Sequence, residues 1–564
     1  MSALFREKRL LWFSAISGLG SGIAMELGRI WETGGSIRHF GMGSWLRILA
    51  SGFLFAAFYG VLIFRLSHRR EKEHAPSEFR KKRFLAAWLG IFLCWIPAFL
   101  AYYPTIWSYD VSAQVPALRG VPPTTWQPLL HTLYLESFLQ IGGCPGDYEV
   151  GMVLLSLTQM LAMSAMFAYA AEKAYSSWGR KASWIGMLVF YGLFPVNAIL
   201  SISMTKDVLF SGCWLIGSVK LYELCDDPEV FFRSPRKLFS LVLMICLALS
   251  LRANTVYAFA FGVFAGVLFL SKGERKKFLC LGLLCVCIYW GGQGVLFHVM
   301  HAEKGNQLEP FCLPMQCLVG TALRHPELIP ERGTGQMLMG AVPRDLFSDN
   351  LEDNYLPYLT DPVKERWRRM DLKDFDSADL VRAWIDCGVR YPTDVLDIWG
   401  TLTLGLWYPL DETHAYIYDG EGERQGYLLT DFKNLEILEM GRPPSKWPWM
   451  EGLYEKIATE NVHQENWMTA FFFAPAFYCW ILFFCILLAW YQKRRSDIIV
   501  LGMTFFYWGT LMLGPAALVR YAYPVMVLVP VALSRFSLGK RLSSLPECDI
   551  LVPRQPGGTQ TLGV

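Results

Sequence analysis

Apolar stretches of about 17 to 25 residues, the length that crosses a bilayer core, recur along the chain between short charged connectors. Twelve spanning segments are expected, at 9–25, 46–64, 84–102, 150–171, 183–202, 205–222, 238–253, 255–271, 278–300, 467–490, 497–514 and 518–536. The turns at 203–206 and 252–254 are tight. The predicted fold is an all-α polytopic membrane protein, a bundle of about 12 transmembrane helices. The first segment, long and followed by further spans, reads as an anchor and not as a cleaved leader.

Charge sets the expected orientation. With the N-terminus in the cytoplasm, the inner connectors and the tail from 535 hold 28 Lys and Arg, and the short outer segments hold six: Arg29, Arg38, Arg119, Lys206, Arg252 and Arg520. The positive-inside rule then places both termini in the cytoplasm and gives an even number of spans. The expected organisation is a transmembrane module over 1–300, an outer domain over 301–466, a second transmembrane module over 467–536 and a cytoplasmic tail over 537–564.

Two outer segments are too long to be connectors. In the first, 103–149, Pro128 opens and Gly142-Gly143 closes an expected amphipathic helix on the membrane surface. The second, 301–466, carries 16 Lys and Arg against 29 Asp and Glu, and is expected to be mainly helical and extracytoplasmic. Asp376 or Ser377 is placed to cap a helix near 377–390, and the apolar run 395–410, which contains Asp397, is expected to pack on the bundle or the membrane interface without spanning it.

Composition agrees. Hydrophobic residues make up 53% of 564 and charged residues 18%, against about 25% charged in soluble domains. This excludes a soluble enzyme, a disordered chain and a collagen-like fibre. The basic excess lies in short loops between apolar segments and is no sign of nucleic acid. Most of the 14 Cys fall in apolar segments; Cys312 and Cys317 are spaced so that they could pair outside the membrane. The string Asp374-Phe375-Asp376 is set aside as a chance product of an acidic region.

Ionisable groups at membrane depth mark candidate chemistry. Asp110, after the aromatic string from Tyr102 to Tyr109, can accept a proton, ligate a cation or cap a helix. His131 can donate to a phosphate, orient an acceptor, or turn its polar edge to water. Thr205 reads as an N-cap with Asp207 in the first turn, but Lys206 is then a cation at the wrong end of the helix dipole, which a bound anion would offset. Arg252 and Arg520 are isolated at outer edges, where they can grip phosphate or pair with a carboxylate or lipid head group.

The strings YYPTIWSYDVSAQ (Tyr102–Gln114), QPLLHTLY (Gln127–Tyr134), MTKDVLF (Met204–Phe210), LRAN (Leu251–Asn254) and RYAYP (Arg520–Pro524) resemble a bacterial family of multi-spanning proteins of unknown function, DUF6020, grouped with the GT-C glycosyltransferases. The resemblance implies a GT-C-like bundle that takes a sugar from a polyprenyl-phosphate carrier and passes it to an envelope glycan, lipid or protein acceptor at the outer face of the bacterial plasma membrane. It implies that Asp110 is the base, or holds a divalent cation such as Mg or Mn, and that Asp207 is the partner acid if there is one. Lys206, Arg252 and Arg520 would grip the phosphate, with His131, Asn254 and Tyr521 beside them. The competing classes are a transporter or flippase for a lipid-linked saccharide, using the same cations as a head-group site, and a non-catalytic envelope assembly protein.

Overall fold

The computed structural model describes residues 2–68, 78–107, 109–115, 120–141, 148–178, 180–305, 308–328, 355–368, 376–411, 416–418, 424–426, 443–458, 460 and 462–536. Each of the twelve expected segments coincides with a helix or a pair of helices. Strands among the described residues are confined to one short antiparallel hairpin, Tyr416–Tyr418 with Arg424–Gly426. Arg119, Cys144, Asp374, Phe375 and the tail 537–564 lie outside the described residues.

Six described helices are long and apolar enough to cross a membrane, or eight if each of two bent pairs is one span. The expected count of about twelve is not reached by length and composition, for three reasons. Segment 183–202 is two helices, Lys181–Leu193 and Pro195–Ser201, bent by 54°, and segment 467–490 is Trp467–Phe473 and Pro475–Tyr491, bent by 69°. A proline disfavours the helical region for the residue before it, and Phe194 and Ala474 sit at ψ 118 and 125. Pro235–Leu251, Thr255–Phe269 and Arg495–Leu511 have 17, 15 and 17 residues, which at about 1.5 Å per residue falls short of a core about 30 Å thick. Val519–Phe536 has 18 residues but carries a guanidinium near each end and two prolines.

That last helix lies parallel to Lys206–Asp226. Arg520 stands 4.0 Å from Asp207 at one end, and Arg535 takes Asp226 in a two-pronged pair at 2.9 and 3.0 Å at the other. Arg535 also pairs with Asp497, which Arg494 holds at 2.5 Å, and its guanidinium lies over the rings of Tyr222 and Trp178 at 4.2 and 4.5 Å.

The first two helices, Ser2–Gly34 and Met42–His68, form a close hairpin. A Cβ on Gly18 would sit 2.5 Å from Gly52 O, so only glycine lets the backbones approach this far. Between them Glu26 is held by Arg29 at 2.8 Å and Arg47 at 2.9 Å.

Outside the bundle, Cys312–Arg324, Asp361–Arg368 and Ser377–Arg390 pack around Met315, Leu318, Val319, Trp367, Leu380 and Cys387. Asp376 caps the last of these, accepting from Ala378 N at 2.8 Å. Pro392–Trp407 packs on the bundle, as its sequence suggested. Trp480 and Trp508 donate to the carbonyls of Trp407 and Leu406 at 2.8 and 3.0 Å, and Trp399 donates to Met512 O at 3.2 Å. Asp397 is buried, accepting from Trp31 Nε1 at 2.8 Å and Ile37 N at 2.7 Å. The pairing of Cys312 with Cys317 does not form: both are free buried thiols on one helix, and a spacing of five residues points them about 140° apart.

Candidate active site

The expected surface helix forms as Leu129–Ile141, with Leu129, His131, Thr132, Leu135 and Leu139 buried beneath it. It crosses Glu149–Trp178 at Gly151, where a Cβ would meet Phe138 O at 2.4 Å. The connector before it is fastened to the turn that precedes Lys206–Asp226. Ile106 N donates to Ile202 O at 3.0 Å and Met204 N to Ile106 O at 2.9 Å. From the neighbouring long helix, Gln159 donates to Ser201 O and Ser203 O at 2.9 and 2.8 Å, so the carbonyls of this tight turn are not left bare. These bonds bring residue 110 against residue 206.

Thr205 caps the helix by accepting from Asp207 N, so the capping geometry expected from the sequence forms. The cation in the first turn is offset within the chain: Lys206 Nζ bonds Asp110 Oδ2 at 3.1 Å and Gln127 Oε1 at 2.6 Å. Arg520 Nη1 reaches the same oxygen of Asp110 at 2.7 Å. Asp110 lies inside a short 3-10 turn, Tyr109–Ala113, and its carboxylate goes to these cations instead of capping a helix at Val111. Burial works to raise the Asp110 pKa, but the charges of Arg520 and Lys206 outweigh it and hold the carboxyl well below its usual range.

Arg252 stands in the turn between Pro235–Leu251 and Thr255–Phe269, which end where the site begins. Its guanidinium pairs with the fully buried Asp207 and donates to Asn254 Oδ1 at 3.2 Å. Asn254 donates on to Thr510 at 2.8 Å. The ring of Tyr521 lies between two guanidinia, 4.5 Å from Arg252 and 5.1 Å from Arg520. Tyr507 fixes the backbone there, donating to Tyr521 O at 2.8 Å.

Asp110, Lys206, Arg252, Asn254, Arg520 and Tyr521 therefore meet at one end of the bundle, joined through Asp207. Three cations, Lys206, Arg252 and Arg520, gather there on two carboxylates, Asp110 and Asp207. Gln127 is the member that sequence reasoning passed over, since a lone glutamine carries no signal; Asp207 was read as a first-turn acid and a candidate partner acid, and its bond to Arg252 was not foreseen.

His131 is 1% exposed, which rules out a polar edge turned to water. Its Nδ1 is 3.1 Å from Gln114 Oε1, and Gln114 Nε2 donates to Thr132 at 2.9 Å. Burial first, then the charge of Lys206, pushes its pKa down to about 3. A neutral ring cannot serve as a cationic phosphate ligand.

A divalent cation on Asp110 does not fit this donor set. Both neighbours of its Oδ2 are cations, and among the described residues no group of three or more His, Cys, Asp or Glu is placed to hold a metal.

Compared with known proteins, the chain matches a family of unknown function, DUF6020, over residues 124–544. The matched stretch contains His131, Lys206, Arg252, Asn254, Arg520 and Tyr521, and begins after Asp110. No curated protein and no solved structure matches the chain.

Proposed function

The chain belongs to the DUF6020 family, and from that premise we propose that it is a GT-C-type glycosyltransferase, moving a hexose or pentose from a polyprenyl-phosphate carrier to a cell-envelope glycan, lipid or protein. The observation that carries the reading is the cationic cluster built from four remote stretches of chain. Lys206, Arg252 and Arg520 gather on Asp110 and Asp207, a concentration of two guanidinia and an ammonium that suits an anion. Guanidinia and an ammonium suit a phosphate, and the surrounding helices give a lipid chain an apolar path. In this reading all twelve segments span the bacterial plasma membrane, both termini are cytoplasmic, and residues 301–466 and the Asp110 end face outward.

The chemistry follows from the charges. An acceptor hydroxyl oxygen bonds to the anomeric carbon as the bond from that carbon to the carrier phosphate oxygen breaks. The phosphate leaves with the bonding electrons and is stabilised by the three cations. The hydroxyl proton passes to Asp110. That carboxylate is a poor base while it holds Lys206 and Arg520 to itself; a phosphate that shares them raises its basicity. The base thus becomes competent only with the donor in place.

The test is transfer from a panel of polyprenyl-phosphoryl sugars by protein reconstituted in vesicles. Asp110→Asn is expected to lower transfer by about 10²- to 10⁴-fold while carrier binding persists. Wild-type transfer by that variant removes Asp110 as the base. Movement of the intact lipid-linked saccharide across the bilayer with no transfer replaces the enzyme by a transporter.

A further inference from the structure

Two buried polar atoms on Leu129–Ile141 have no hydrogen-bond partner among the described residues: His131 Nε2 and the Tyr134 hydroxyl. They sit one turn apart on Leu129–Ile141, with ring centroids 6.1 Å apart. His131 lies near enough to Lys206, Asp110 and Asp207 for their charges to act on its ring. Buried polar atoms are as a rule hydrogen-bonded, so these two are open to a ligand that bonds them.

The neighbours decide what each nitrogen of His131 does. Gln114 Nε2 faces the Thr132 hydroxyl and Gln114 Oε1 faces His131, and the ring tautomer that completes this pair of bonds carries its proton on Nδ1. Nε2 is then a bare, buried lone pair. It cannot donate to a phosphate oxygen; it can only accept.

We propose that His131 Nε2 is a preset acceptor that reads a sugar hydroxyl next to the phosphate seat, with the Tyr134 hydroxyl as its companion. This rests on the glycosyl-transfer reading above and adds a division of labour to it: Lys206, Arg252 and Arg520 hold the phosphate, and the face of Leu129–Ile141 recognises the carbohydrate. A carbohydrate supplies what both atoms lack, several hydroxyls that donate and accept at short spacing.

The experiment uses the full chain in nanodiscs free of glycolipid, with three probes: dodecyl phosphate, a panel of dodecyl hexosides and pentosides, and a polyprenyl-phosphoryl hexose. His131→Phe is expected to bind dodecyl phosphate as the wild type does, and to lose about five- to tenfold in affinity for the preferred glycoside and for the phosphoryl hexose. His131→Gln, which keeps an acceptor, is expected to recover part of that loss. Equal glycoside binding by wild type and His131→Phe overturns the inference while phosphate binding leaves the transferase reading standing. A His131-dependent glycoside affinity with no phosphate binding does the reverse. Equal weakening toward all three probes makes His131 a phosphate or packing residue and overturns the inference. Binding of no probe by the wild type overturns both. Nitrogen NMR of histidine-labelled wild-type protein reads the ring without any variant: a bare Nε2 with protonated Nδ1 supports the assignment, and the opposite tautomer sinks it.

Discussion

The helices Lys206–Asp226 and Val519–Phe536 are clamped by charges at both ends, and the two clamps are built differently. At the Asp226 end, Arg494 and Arg535 meet Asp226 and Asp497, two charges against two, closed over by Trp178 and Tyr222. At the Asp110 end, three cations meet two carboxylates, with Gln127 and an unmet histidine nitrogen alongside. The cluster closed over by Trp178 and Tyr222 reads as a fastening, and in the glycosyl-transfer reading the cluster around Lys206 is a seat for a phosphate. The same residue types on the same two helices thus serve different ends, and composition alone would not separate them.

The contrast can be broken by swapping the damage. Arg535→Ala leaves Asp226 and Asp497 short of a partner in a buried site, and is expected to cost about 3–5 kcal/mol of stability, read as a large fall in thermal midpoint in detergent. If Arg535→Ala unfolds no more easily than Asp110→Asn, the two clamps are not different in kind. Next in size, Lys206→Met and Arg520→Gln are expected to weaken dodecyl phosphate binding by about 10- to 100-fold, the worth of a charge-assisted bond. Arg494→Gln, at the Asp226 end, should leave that binding unchanged; equal effects at both ends would erase the distinction.

The last effect is a pH slope. The folded ring of His131 has its pKa lowered from 6.5 to about 3. Between those values the unfolded chain holds the extra proton, so stability is full above about pH 6.5 and is lost as pH falls toward 3, by at most about 1.4 kcal/mol per pH unit. Asp110, whose folded pKa is depressed, gives up its contribution only below the ordinary carboxylate range. His131→Phe should therefore flatten the denaturation midpoint between pH 4 and 6.5 relative to the wild type. An unchanged slope would mean that the ring is not held neutral.

Much of this was legible in the residue string. The twelve apolar segments all became helices, because backbone groups in an apolar setting must be satisfied within the segment. The isolated cations Lys206, Arg252 and Arg520 were conspicuous because a charge at membrane depth needs a counterpart. What the string hid were the breaks and the counterparts. Pro195 and Pro475 bend their segments through the residue before them, a local rule that hydropathy averaging blurs. Asp207 had a sufficient local explanation as a first-turn acid, which concealed its bond to Arg252. Gln159, Gln127 and Gln114 act on atoms 17 to 79 residues away in sequence, and no periodicity announces such a contact. The burial of His131 was hidden for a related reason: the face of its helix was readable, but not that the connector from 103 folds back over it.

The double clamp also makes the helix pair a gauge. Asp207 and Asp226 are separated by a helical rise of about 29 Å, close to the thickness of a lipid hydrocarbon slab. Both ends are locked, so neither helix can slide along the other without breaking ion pairs.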